Sequence, residues 1–203
     1  MKIFKISLLL IVFVSCNQKL NHDEDIYEII NLLSKETIAN NKLFVPPPPN
    51  TKANDSLIKY KRKLTPSYYN KLKYTIAVVP YFKNTFTSEN SSIKCNEFKE
   101  LYKFLLTTKN TEKELLISKI KQKGDIIIPF TDDMITKGRK DFVDMGFDII
   151  FQFSNVQFNK DKTKAVIIFS SSTSTLAGSS SLYFLKKQNG KWFISCTKLL
   201  SIS

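Results

Sequence analysis

The chain has 203 residues, 42% of them hydrophobic, and carries 31 Lys and Arg against 18 Asp and Glu, a formal charge of +13; that is enough for one domain with a real core. Arginine occurs only at Arg62 and Arg139, so the bidentate forks favoured by specific nucleic-acid readers are missing and nucleic acid is not an expected partner. A single histidine, His22, leaves no basis for Ser-His-Asp or Cys-His catalysis or for most zinc sites.

Lys2 and Lys5 give a basic start, Ile6 to Val14 an apolar run, and Ser15-Cys16 a small residue before a cysteine. The run is too short to span a bilayer and reads as a secretory signal. Its ending resembles a bacterial lipoprotein lipobox, with Phe13 and Val14 in place of the commoner Leu and small residue. The resemblance implies removal of residues 1–15, attachment of a palmitate-type acyl chain at Cys16 and a place in the cell envelope, on the periplasmic or outer-membrane side. Ordinary secretory cleavage is the rival; an uncleaved anchor is stopped too early by Asn17-Gln18-Lys19. Loss of Lys2 and Lys5 lowers the charge from +13 to +11. Such an excess suits anionic surfaces, although lysine as surface filler explains it as well.

With Cys16 lipidated, Cys95 and Cys196 remain. They either form a disulfide, permitted in an oxidising compartment, or stay as two buried thiols. The second is preferred, because a core of this size needs no staple.

In chain order, 16–22 read as a tether and 23–45 as an N-terminal helix with the start of a connector. Asp23, Glu24 and Asp25 precede Ile26, Ile29, Ile30, Leu33 and Ile38 at helical spacing, to about Asn40. Pro46 to Pro49 form a stiff extended spacer, opening a single α+β domain over 46–203. Lys59 to Lys63, with Tyr60, Tyr68 and Tyr69 nearby, suit either anionic headgroups or, as preferred, a solvated face. Tyr74 to Val79 read as a buried strand, and 93–106 as a helix. Thr111 to Glu114 have the form of a capping box, predicting a helix that ends at Gly124. A short strand at Ile126 to Ile128 follows, then a third helix from Thr131-Asp132-Asp133 toward Met145.

Phe147, Ile149, Phe151 and Phe153 alternate, and the parity shifts to Val156 and Phe158, predicting a bulge near Ser154-Asn155. Ala165 to Phe169 and Leu182 to Leu185 read as central strands. Asn189-Gly190 marks a hairpin, after which Trp192, Ile194 and Cys196 are expected on one face. The fold class is therefore α+β: an antiparallel sheet, ending in a meander of about four strands, with helices packed on one side. Ser154, Phe158-Asn159, Lys164-Ala165, Gly178, Leu185-Lys186-Lys187, Gly190-Lys191-Trp192 and the final Ser resemble the C-terminal region of uncharacterised Bacteroidetes-type lipoproteins. The ending is also similar to NTF2-like or cystatin-like cone folds. Those resemblances imply a fold more than an activity.

No residue is singled out as catalytic, and no metal or cofactor is expected. The serine tracts at 170–175 and 179–181 lack a nucleophile elbow. Asp141 and Asp144, three apart, suit a shared helix face, but the spacing is not an EF-hand loop. The favoured expectation is a lipid-anchored, non-enzymatic binding or accessory module that docks an envelope protein or anionic surface. The alternative is a small carboxylate-dependent hydrolase or isomerase, requiring a deep polar cavity with at least two of Asp132, Asp133, Asp141, Asp144 and Asp148.

Overall fold

A computed structural model describes residues 18–42, 73–84, 94–108, 113–131, 133–134, 146–174 and 177–202. Cys16, the proline run, the Lys59–Lys63 cluster and most of the third helix lie outside the described residues. The first element, α1, spans Gln18–Lys42. It begins before Asp23, so most of the segment expected as a tether is helix. β1 covers Thr75–Val78. A 3₁₀ turn at Asn96–Phe98 leads into α2, Lys99–Thr107. Then follow β2 (Ile126–Pro129), β3 (Ile149–Phe153), β4 (Gln157–Phe158), β5 (Lys164–Ser174), β6 (Ala177–Gln188) and β7 (Lys191–Ile202).

These strands form one sheet in the order β2-β1-β3-β5-β6-β7, with β4 paired to β5. The α+β class holds, but the sheet is mixed rather than wholly antiparallel. β1 pairs in parallel with β2 on one side and β3 on the other, while β3, β5, β6 and β7 run antiparallel. Asp125 Oδ1 accepts the Tyr74 N–H at 2.9 Å and Asp148 Oδ2 accepts the Thr75 N–H at 2.7 Å. The residue before each neighbouring strand thus satisfies a backbone donor where β1 begins.

α1 covers the face formed by Ala165, Ile167, Phe169, Leu185 and Trp192, burying Ile26, Ile29, Ile30, Leu33 and Ile38 there. Each such side chain contributes about 1.5–3 kcal/mol. Phe153 stacks on its cross-strand partner Phe169, ring centroids 4.7 Å apart and planes 9° from parallel. α2 lies against the alternate residues Val166, Ile168, Leu182 and Phe184 through Phe98, Tyr102 and Leu105. Successive strand residues point to opposite sides of a sheet, so the meander carries a core on each face.

The parity shift after Phe153 is where expected. Ser154, buried, accepts the Ile168 N–H through Oγ at 2.8 Å and donates that hydroxyl to the Asn155 carbonyl at 3.0 Å, bridging the break between β3 and β4. Asn189 and Gly190 both have positive φ, 50° and 77°, as a two-residue type I′ hairpin requires. One strand breaks its expected pattern. Leu185 pairs with Ile194 but Phe184 with Cys196, so Ser195 is an extra residue. Trp192 and Ile194 therefore pack on the α1 face and Cys196 on the α2 face.

That offset lets Cys196 meet Cys95 in a disulfide, Cα atoms 6.7 Å apart. The preference for two separate thiols is overturned. It treated the core as one body, whereas the α2 face has a smaller buried cluster of its own. The helix predicted from Thr111 is also absent from the described part of its range, 113–124. Phe82 N–H bonds to Lys113 O and Leu115 N–H to Pro80 O, both 2.9 Å, and the only helical turn there is the 3₁₀ segment Ile117–Lys119. Long-range pairing with the extension of β1 outcompetes a local helical preference. Gly124 does take a positive φ, 87°, in the turn that enters β2.

Candidate functional site

Asp25 lies on the apolar stripe of α1, one turn before Ile29 and two before Leu33. It is buried, at 5% exposure, and is doubly bound: Lys187 Nζ and Trp192 Nε1 both donate to its Oδ1, the latter at 2.9 Å. The Lys187 ammonium also stands 5.6 Å from the Trp192 ring centroid. One turn on, Glu28 accepts the Trp192 backbone N–H at 3.2 Å. These contacts fasten α1 to the β6–β7 hairpin.

The opposite flank of α1 is fastened to the chain between Leu116 and Gln122. Tyr27 OH accepts the Leu116 N–H at 2.8 Å. Asn31 Oδ1 accepts the Lys121 N–H at 2.7 Å, and Asn31 Nδ2 donates to Lys119 O at 3.3 Å. Gln122 donates back to the Asn31 carbonyl at 3.2 Å.

Between the two sets of contacts runs a cleft of about 920 Å³. Its walls are an α1 stripe including Leu32, Lys35 and Ala39, the turn 121–125, and Lys191 to Phe193 at the start of β7. Lys35, Lys121, Lys123 and Lys191 border it and are all exposed. Its two carboxylates, Glu28 and Asp125, each accept a backbone N–H. Phe193, 50% exposed, adds an apolar edge. At the tip of the hairpin a more polar cavity of about 790 Å³ is bordered by Glu24, Asp25, Glu28, Lys187, Gly190 and the turn 160–163. There Asp161 accepts the Thr163 hydroxyl at 2.8 Å, which holds its carboxyl below the ordinary range.

On the α2 face Lys164 and Lys186 are direct cross-strand partners, an unfavourable like-charge pair. Glu97 relieves it, 2.7 Å from Lys186 Nζ and 3.1 Å from Lys164 Nζ. Those two hydrogen bonds, Lys186 first, hold the Glu97 carboxyl below its ordinary range. Tyr183 is shifted upward, chiefly by burial and then by Glu36.

The sequence-derived candidates fare unevenly. Cys95 and Cys196 are joined, while Cys16 lies outside the described residues, as do Asp132, Asp141 and Asp144. Asp148 is occupied with the Thr75 N–H. His22 falls within α1. In the serine tracts Ser170 and Ser180 bond hydroxyl to hydroxyl at 2.8 Å across β5 and β6. The Asp25–Lys187–Trp192 cluster was missed, although an acid in register with Ile29 and Leu33 is its signal. The lysine-bordered cleft had none, since its walls come from three distant parts of the chain.

No family model matches the chain, and no curated protein matches it. Among solved structures, a hypothetical protein of Chlamydia trachomatis is 11% identical, covering 64% of this chain and 71% of its own, with a TM-score of 0.18. A likeness at that level assigns neither fold nor activity. No helix among the described residues is long and apolar enough to cross a membrane.

Proposed function

We propose that the chain is a lipid-anchored protein of the cell envelope, acylated at Cys16, whose folded body is a non-catalytic binding or accessory module. The observation that carries the binding role is the cleft beside α1, where four exposed lysines gather around apolar side chains. A concave site of this size, largely pre-formed by hydrogen bonds on both flanks of α1, is the usual form of a binding site. The envelope location is supported by the basic start, short apolar run and cysteine of residues 1–16, by the likeness to Bacteroidetes-type lipoproteins, and by the Cys95–Cys196 disulfide, a bond at home in oxidising compartments.

The test has two arms. Globomycin treatment of a bacterial host should cause the precursor to accumulate; precursor and mature forms unchanged in size would remove the anchor. A photo-crosslinking residue at Lys121, used in the native envelope, should capture one abundant partner that the same residue at Lys99 does not. Equal capture at both positions would remove the binding role of the cleft.

A further inference from the structure

The cleft beside α1 constrains what fills it. Lys35, Lys121, Lys123 and Lys191 border it, and among the described residues none of them has a carboxylate partner, because Glu28 and Asp125 are turned to backbone N–H groups. Like charges collected around a concave space repel one another and draw in an anionic occupant. Leu32 and the half-exposed Phe193 give the same space apolar walls, so the occupant carries apolar groups beside its charges.

A second feature separates a protein partner from a lipid one. β7 enters the cleft at Lys191 and is the last strand of the sheet, with β6 its sole strand partner among the described residues. The Trp192 N–H on its outer edge is taken by Glu28, and beyond it, from Ile194 on, that edge offers backbone donors and acceptors that an extended peptide can pair with and a lipid headgroup cannot. A bilayer also presents a plane of charge, which suits a flat basic patch rather than a recess.

We infer that the cleft binds an acidic, extended segment of a partner protein, with carboxylates held between Lys121, Lys123 and Lys191 and an apolar side chain against Phe193. This rests on the accessory-module reading and names its partner chemistry.

The probe is a fluorescent peptide of about ten alternating Glu and Leu residues, titrated by anisotropy against the full chain in zwitterionic detergent. Its affinity should fall as salt rises toward about 0.15 M. The triple variant Lys121→Gln/Lys123→Gln/Lys191→Gln should weaken binding roughly ten-fold or more, and Phe193→Ser should weaken it without altering the salt dependence. A charge-matched variant, Lys94→Gln/Lys99→Gln/Lys160→Gln, should bind as the parent does, and thermal melts verify that each variant is folded. Equal losses in both triple variants would overturn the assignment. So would failure of the peptide to bind while phosphatidylglycerol vesicles bind through the same three lysines. Peptide binding indifferent to the cleft variants, beside a partner cross-linked elsewhere on the anchored chain, would overturn the cleft and leave the accessory role standing.

Discussion

Each face of the C-terminal meander holds a helix through a carboxylate that meets lysine, but the two clamps sit in different surroundings. On the α1 face the Asp25 side chain is 7% exposed, beside a large core and the Trp192 indole. On the α2 face Glu97 is 42% exposed, the core is smaller, and a disulfide supplements it. Burial decides what a clamp contributes. An ion pair in water is worth little, whereas a buried carboxylate stripped of its partners is costly. The face with less apolar burial is thus the one that carries the covalent link, closing a separation of 101 residues.

The difference can be broken from the apolar side first. Phe169→Ala removes a ring that stacks on Phe153 and meets Phe151 edge-on at 5.0 Å. It should cost about 3–5 kcal/mol in urea unfolding; a loss under 1 kcal/mol would mean that the α1 face does not dominate stability. Cys196→Ser should cost about 2–4 kcal/mol, chiefly by freeing the unfolded chain. A thiol titration of the denatured, non-reduced protein should find neither Cys95 nor Cys196 free; two reactive thiols at those positions would remove the link.

Asp25→Ala leaves Trp192 Nε1 and Lys187 without their acceptor. The expected loss is about 2–3 kcal/mol, moderated because the Lys187 side chain is 29% exposed and can reach water. Hydrogen exchange should show α1 loosening before the strands. Uniform loosening would mean that Asp25 is no specific latch.

The smallest effect belongs to Glu97. Its folded pKa lies below the ordinary 4.5, so its contribution is present above that value and lost as pH falls through the folded pKa. Glu97→Gln should therefore lose less stability than the parent as pH drops below about 4.5, and the difference should shrink in high salt. Parallel acid-unfolding curves would show that the clamp does not form in solution.

Much of the meander was legible because its signals are local. Alternation located β3, short apolar runs located β5 and β6, the parity change located the Ser154 bridge, and Asn189-Gly190 located the final hairpin. The parallel pairing of β1 was not legible, since its partners come from distant segments and leave no turn signature. The segment from Thr111 misled for the opposite reason. Its cap and apolar spacing are sound locally, yet the backbone of Lys113 and Leu115 is taken up by Pro80 and Phe82. At the cleft, lysines 35, 121, 123 and 191 are ordinary surface residues in the linear chain, and only the docking of α1 gathers them.

Ser195 sets the phase of the last strand much as a single inserted nucleotide sets a reading frame. Before it, alternate side chains of β7 serve α1; after it, Cys196 and Leu200 serve α2. Length changes are generally tolerated at hairpin tips and loops, and a bulge is the place inside a strand where one residue can go without altering the pairs on either side. Were the bulge smoothed into a regular ladder with Ser195 kept, Cys196 would rejoin the face of Trp192 and Ile194 and part from Cys95, although neither cysteine had changed. Deletion of Ser195 would instead leave Cys196 opposite Phe184 on the α2 face. Relatives of this chain that keep the link should therefore either hold one bulged residue between the counterparts of Ile194 and Cys196 or have the two adjacent, with the identity of the serine free to vary.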